Sequence, residues 1–197
     1  MLELLIASKN SGKIKEIKDI LKNTNIKILS LNDFYDLPEI KEDGQSFQEN
    51  ALKKAEFISK LTGKICLADD SGLAIEYLGG KPGILSARWG KSDKERIQKV
   101  LNLLKGVPKK RRKAKFICAL ALFFPEGKSY IIEGECMGII ATSPRGSNGF
   151  GYDPIFIVPE YNRTFAELGE EIKNKISHRA KALKQMKQIL ENLMGKE

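Results

Sequence analysis

The sequence predicts an α/β domain with a mixed sheet. Apolar runs of strand length alternate with amphipathic stretches of helical period in the first half, as in β-α-β units. Two longer strand-like runs then follow one another around a short turn, as in a hairpin. No internal repeat, low-complexity tract or long linker interrupts the 197 residues, so one generous domain or two tightly joined lobes is expected over 1–197.

"LELLIA" (2–7) reads as a buried strand. "SGKIKEIKDILKN" (11–23) places Ile14, Ile17 and Leu21 on one face of a helix. "IKILSL" (26–31) is a second strand, and "LPEIKEDGQ" (37–45) a polar loop. In "SFQENALKKAEFISKLTG" (46–63), Ser46 and Glu49 form a capping box and Gly63 ends the helix. "KICLA" (64–68) is a short buried strand, with "DDSG" (69–72) where it ends. "LAIEYL" (73–78) runs into the glycine-rich "GGKPG" (79–83). "SDKERIQKVLNLLKG" (92–106) repeats the helix punctuation with Ser92, Glu95 and Gly106. "AKFICALALFF" (114–124) and "SYIIEGECMGIIA" (129–141) are strands joined around "PEGK". "TSPRGSNGFGYDPIF" (142–156) is irregular, and "SHRAKALKQMKQILENLM" (177–194) is a helix with Ser177 as its N-cap.

Composition narrows the function classes. No apolar run reaches eighteen residues, so no membrane span is expected, and the N-terminus lacks the pattern of a signal peptide. Cys66, Cys118 and Cys136 each sit in apolar, strand-like settings. They are expected to be reduced and buried in a cytoplasmic protein. One histidine and no CxxC pair make a zinc site a poor expectation. The net charge of +9 favours anionic partners, or simply a lysine-rich solvated surface. The densest basic stretch, "KGVPKKRRKAK" (105–115), has no interleaved aromatics, which weighs against single-strand binding.

"SKNSGKIKE" (8–16) follows a strand and opens a helix. Gly12 and Lys13 fit the second half of a Walker loop, but Ala7 replaces its first glycine and Ile14 its Ser/Thr. The turn can offer backbone N–H groups and an ammonium to a phosphate, and it lacks the loop's metal ligand. The alternative is an ordinary βα turn. A Mg²⁺ site on polyphosphate wants carboxylates. Asp69 and Asp70 follow a buried strand, and Glu42 and Asp43 lie in a loop; ordinary turn-forming acids are the bland alternative. If the strand continues, Asp69 and Asp70 point to opposite sides. His178, the only histidine, lies in the first turn of the last helix, where a lone histidine is more often a surface or capping residue than a functional one. Arg179 beside it offers a planar donor fork. "GSNGFGYDP" has the glycine density of a chain that approaches a flat ligand, or of a long surface loop.

Six ordered blocks carry a resemblance: "SKNSGKIKEI" (8–17), "EDGQSFQENALKKA" (42–55), "ADDSGLAIEYLGGKPGILSAR" (68–88), "GSNGFGYDPIF" (146–156), "TFAEL" (164–168) and "KNKISHRAKAL" (173–183). Together they resemble the Ham1/ITPase family, the inosine/xanthosine triphosphate pyrophosphatases, in its bacterial branch. Trp89 stands where another aromatic is usual, and Lys41 where many members carry an acid, which leaves Glu42 as the loop ligand. The resemblance implies an elongated mixed sheet flanked by helices, with two lobes and a central nucleotide cleft, in a homodimer. It implies Mg²⁺-dependent hydrolysis of ITP, dITP or XTP to the monophosphate and pyrophosphate, with one Mg²⁺ per subunit and Mn²⁺ as a substitute. By motif, Ser8, Lys9, Asn10, Ser11, Gly12, Lys13, Lys54 and Ser71 match phosphate-binding positions. Glu42 and Asp70 match metal ligands, and Asp70, supported by Asp69, matches the general base. Phe150, Gly151, Tyr152, Asp153, Lys173, His178 and Arg179 match the base-recognition set. A nucleic-acid-binding module, a non-cleaving nucleotide sensor and a Maf-like pyrophosphatase of modified pyrimidine nucleotides are the rivals. "DDSG" disfavours the first two; "ISHRAKAL" and "GFGYDP" disfavour the third.

Overall fold

A computed structural model describes residues 2–34, 37–38 and 40–195; Glu39 of the expected polar loop lies outside them. The strands are β1 (Leu2–Ile6), β2 (Ile26–Ser30), β3 (Ile65–Ile75), β4 (Lys113–Phe123), β5 (Ser129–Ile140), β6 (Phe156–Val158) and β7 (Arg163–Thr164). The helices are α1 (Ser11–Leu21), α2 (Phe47–Thr62), α3 (Asp93–Leu103), α4 (Phe165–Ile176) and α5 (His178–Met194). The sheet is mixed, in the order β2-β1-β3-β4-β5-β6-β7. β1 pairs in parallel with β2 and β3, through Leu5↔Leu29 and Leu5↔Cys66 among others. β5, β6 and β7 pair antiparallel. The five residues between neighbours β4 and β5 close with Phe124 N–H donating to the Lys128 carbonyl, the expected hairpin. No helix among the described residues is long and apolar enough to cross a membrane.

The chain divides into two compact units. Unit 1 is Met1–Asp70, Cys118–Gly134 and Arg179–Glu197; unit 2 is Ser71–Ile117 and Glu135–His178. In unit 1, Ile14, Ile17 and Leu21 of α1 pack with Leu4 and Ile6 of β1, Leu67 of β3, Cys118, Leu120 and Leu122 of β4, and Leu183, Met186 and Leu190 of α5. Each is a full apolar side chain removed from water, worth roughly 1.5–3 kcal/mol for the Leu and Ile positions. Unit 2 has its own core of Leu73, Val100, Phe116, Ile155, Phe156 and Phe165 with their neighbours.

Three local expectations change. β3 does not stop before "DDSG": it runs through Asp69 and Asp70 to Ile75. Sequence pattern alone favoured a stop, because two acids inside a buried strand demand partners that lie far away in the chain. In α2 and α3 the capping boxes shift by one residue. Ser46 and Ser92 accept from the Glu49 and Glu95 N–H groups, but the glutamates reach back to the N–H of Gln45 and Lys91 rather than of the caps themselves. Gly63 does terminate α2, at φ 65°, whereas α3 ends at Leu103 and Gly106 lies beyond it in the next turn. Helix α4 was not predicted. Gly169, at φ 77° and ψ 174°, breaks its periodicity, yet Thr164 and Glu167 form a full capping box that "TFAE" spelled out.

The three cysteines form no disulfide among the described residues and are buried, and burial pushes the Cys66 thiol up to about 12. The native protein at pH 8 should therefore expose no thiol to Ellman's reagent, and three should react after denaturation; fast native reaction of any one would contradict this packing.

Candidate functional site

In unit 1, β1 ends at Ile6 and the chain turns through Ser8 to Asn10. Ser8 Oγ accepts from the Asn10 N–H, and Asn10 caps α1 by accepting from the Lys13 N–H at 3.0 Å. The remaining N–H groups of the first turn have no partner within the helix, so they and the helix dipole make an electropositive start. Lys9, Asn10 and Ser11 are exposed. Ile14 is not a failed metal ligand; it is buried in the core.

Lys13, one turn into α1, bends toward β3. Its Nζ lies 2.5 Å from Asp69 Oδ1 and 3.3 Å from the Asp69 carbonyl. Asp69 Oδ2 accepts from Arg179 Nε at 2.8 Å and from the Cys118 thiol at 3.1 Å. Arg179 Nη1 in turn donates to Glu16 of α1. Burial alone would raise the Asp69 pKa, but the Arg179 guanidinium and Lys13 ammonium overcome it and hold the carboxyl well below its usual range. Asp69 is thus ionised across the neutral range and anchors two cations.

Asp70 faces the other side of β3, as strand alternation requires. Its Oδ2 accepts from Asn50 Nδ2 at 3.0 Å, and its Oδ1 lies 3.7 Å from Lys54 Nζ. Both partners come from α2, four residues apart and so on one helix face. Lys54 Nζ also donates to Glu42 at 2.5 Å and to the Asp69 carbonyl at 2.9 Å. Two ammonium groups, Lys13 and Lys54, therefore meet at one main-chain oxygen. Asn50 closes the arrangement by accepting from the Gly44 N–H at 2.8 Å, which ties the "EDG" loop to Asp70. Gly44 permits this approach: a Cβ there would lie 2.6 Å from Asn50 Oδ1 and 2.9 Å from Glu49 Cβ. Burial raises the Asp70 pKa, Glu42 adds to the rise, and Lys54, Lys13 and Asn50 oppose it.

Among the described residues no group of three or more His, Cys, Asp and Glu side chains gathers as a ready metal cage. Glu42 and Asp70 nevertheless fit Mg²⁺, which takes one or two carboxylates and completes its shell with water and substrate phosphates. Both face the Lys54 ammonium, so the space between them already holds positive charge. Ser71 follows in β3, half-buried, as the first residue of unit 2.

In unit 2, the turn around Phe150 is fastened at several points. Asp153 Oδ2 accepts from the Phe150 N–H at 2.9 Å and from Lys173 Nζ at 2.5 Å. Lys173 Nζ lies 4.5 Å from the Phe150 ring centroid, a cation–π contact. The Gly151 N–H donates to Asp93 at 2.7 Å, and Tyr152 Oη donates to the Ser86 carbonyl at 2.9 Å. Gly149 is obligatory: it has φ 78°, and a Cβ would sit 2.0 Å from Asp153 Oδ2. His178, first residue of α5, is buried and stacks on Phe116, with centroids 4.7 Å apart.

The predicted residues thus fall into two clusters. Unit 1 gathers Ser8 to Lys13, Glu42, Lys54, Asp69, Asp70 and Arg179. Unit 2 gathers Phe150 to Asp153, Lys173 and His178. Arg179, expected beside the purine, directs its fork at Asp69 and Glu16. Sequence reasoning missed Glu16, Asn50 and Cys118. The first two left a trace: Glu16 stands between Ile14 and Ile17 on the buried side of α1, and Asn50 precedes Lys54 by one turn. Cys118 left none, because a cysteine in a strand core looks like any small apolar residue.

A model of the Ham1 family matches residues 4–189. The dITP/XTP pyrophosphatase of Bacillus licheniformis is 50% identical over 194 residues, which cover 97% of this chain and 99% of that protein. The dITP/XTP pyrophosphatase of Bacillus subtilis is 49% identical, over 97% and 98%. A HAM1 protein structure from Coxiella burnetii superposes with a TM-score of 0.88 at 46% identity, over 98% of this chain and all of that one. The Staphylococcus aureus Ham1 protein gives 0.86 at 39%, over 96% and 98%.

Removing the Asp69 charge takes a counter-charge from Lys13 and from the fully buried Arg179, which keeps Glu16. Asp69→Asn should cost about 3–5 kcal/mol in urea unfolding. The pH sign follows from the depressed pKa. Stability from Asp69 is complete above the unfolded-chain value of about 3.9 and drains as pH falls through the lower folded value. The urea midpoint of the parent protein should fall below about pH 4, and that of Asp69→Asn should be flatter across the same range; parallel profiles would refute the anchor role.

Proposed function

The chain belongs to the Ham1 family, and on that footing we propose that it is a nucleoside triphosphate pyrophosphohydrolase that cleaves ITP, dITP and XTP to the monophosphate and pyrophosphate and so clears them from the nucleotide pool. The observation that carries this reading is the meeting of Lys13 and Lys54 at the Asp69 carbonyl, beside the Asp70–Glu42 carboxylates. A triphosphate carries several negative charges and little demand for covalent chemistry, so positioning and charge neutralisation dominate its hydrolysis. The resemblance also carries a homodimer as the working assembly and a cytoplasmic setting.

The α1 start and the two ammonium groups bind the triphosphate and stabilise the charge that develops on the leaving pyrophosphate. Asp70 and Glu42 would hold Mg²⁺, which supplies further neutralisation of phosphate charge when bound. Asp70 orients water toward the α-phosphorus and takes its proton as the new P–O bond forms and the bond to pyrophosphate breaks. Without metal, burial holds its pKa above the ordinary aspartate value. Asp69 cannot share that role, since Lys13, Arg179 and Cys118 already occupy its oxygens. It holds Lys13 in place instead.

Base choice follows hydrogen-bond signs. Hypoxanthine and xanthine present an acceptor oxygen at C6, where adenine presents a donor. The Phe150 and Gly151 N–H groups are engaged by Asp153 and Asp93. Arg179 is likewise engaged, by Asp69 and Glu16, so selectivity is assigned to His178, with the Phe150 ring as the stacking surface. Each donor left facing a donor costs roughly 1–3 kcal/mol, so one such mismatch can account for a preference of about tenfold.

Asp70→Asn should keep the fold and lose at least about 100-fold in kcat; near-parent turnover would remove Asp70 from the mechanism. In a panel of ITP, dITP, XTP, GTP and ATP, the 6-oxopurine substrates ITP, dITP and XTP should exceed ATP in kcat/KM at least about tenfold, with pyrophosphate and not orthophosphate released. Equal rates on ATP and ITP would contradict the donor account.

A further inference from the structure

The basic stretch 105–115 takes no part in either cluster, and the structure disperses it. Arg111 lies over the Tyr77 ring, 4.7 Å from its centroid. Lys105, Lys110 and Lys113 are exposed, whereas Arg112 is buried. The segment carries no interleaved aromatic on which bases could stack. It does border one concave feature, a cavity of about 310 Å³ within unit 2, at the small end of ligand pockets. Lys109, Arg112, Arg145, Thr142, Ser143 and Asn162 line it over an apolar floor.

Two properties of that lining point to an anion. The first is charge. Lys109, Arg112 and Arg145 are cationic, and no acid is among the residues that line the cavity. Arg145 is paired with Glu167, 3.5 Å away. Arg112 is 3% exposed and pairs with no carboxylate among the described residues. Its donors go to three carbonyls, those of Ile140, Leu104 and Ala141. These neutral oxygens, one at the C-terminus of α3, satisfy geometry without supplying a full counter-charge. Burial lowers the Arg112 pKa with no acid acting against it. A buried charge in that condition is costly until an anion compensates it. The second property is donor supply. Beside Arg112, the Thr142 and Ser143 hydroxyls and the Asn162 amide are exposed side chains at the rim, and Asn162 is held there at φ 50°, an uncommon conformation outside glycine.

We propose that this cavity is a binding site for a small phosphoryl anion, of the size of orthophosphate or pyrophosphate, held by Lys109 and Arg145 at the rim with Arg112 as the buried fixed charge. Cationic forks and hydroxyls suit the tetrahedral oxygens of a phosphoryl group. The site lies wholly within unit 2 and does not depend on the hydrolase reading.

The test is a titration of the full-length, metal-free protein with sodium pyrophosphate at low salt, followed by backbone amide NMR shifts. The Thr142, Ser143 and Asn162 amides report this cavity, and those of Ser11 and Gly12 report the α1 start separately. Saturable shifts are expected at Thr142, Ser143 and Asn162. Lys109→Ala/Arg145→Ala should weaken that response at least tenfold while the Ser11 and Gly12 response and ITP turnover stay within twofold. Lys109→Arg/Arg145→Lys should retain it, which separates lost charge from lost fold. Repeating the titration with orthophosphate asks whether one phosphoryl group suffices, and binding of either anion supports the site. Unmoved Thr142, Ser143 and Asn162 amides, an unchanged response in the alanine pair, or shifts produced only by a duplex oligonucleotide would overturn it.

Discussion

One buried carboxylate organises unit 1. Asp69 sits in the middle of β3 with no access to water, an untenable place for a charge unless cations come to it. Lys13 arrives from α1, Arg179 from the start of α5, and the Cys118 thiol from β4. Glu16 balances the second positive charge of that set. Four elements distant along the chain are thereby held at one point. The apolar packing of α1 and α5 on the sheet brings them near, but apolar packing is indifferent to small rotations. The ion pairs are not, because a buried charge moved off its partner loses most of its compensation.

The same physics, applied one residue later, gives the opposite result. Asp70 is nearly as buried as Asp69 but meets one ammonium shared with Glu42 and one neutral amide. Desolvation therefore outweighs attraction and its pKa rises, while that of Asp69 falls. Adjacent aspartates on opposite faces of a strand acquire opposite characters because each face carries a different helix. An acid held well below its ordinary pKa is suited to holding cations.

Unit 2 solves a different problem. The turn around Phe150 is held in place although its backbone belongs to no strand. Asp153 fastens it by accepting from its own turn and from Lys173, and the lysine in turn backs the Phe150 ring. Glycine at 149 is what lets the carboxylate come so close. Asp93 and Ser86 fasten the neighbouring residues from outside the turn.

Local periodicity determined most of the architecture. The apolar stripe of Ile14, Ile17 and Leu21, the Gly63 stop and the paired runs around "PEGK" needed no distant information, because each is settled by neighbours within a few residues. The ordered blocks also determined the family, and with it the residue types of both clusters. Tertiary structure decided what those residues do to one another. It carried β3 through "DDSG", since only partners drawn from α1, α2 and α5 make two acids tolerable inside a buried strand. It directed Arg179 toward Asp69 and Glu16. It brought in Asn50 and Cys118, whose chemistry is invisible until a charge is placed against them. Hydrophobic pattern is written locally because burial is a property of each side chain alone; compensation of charge is a property of pairs, and the pairs exist only once the chain has folded.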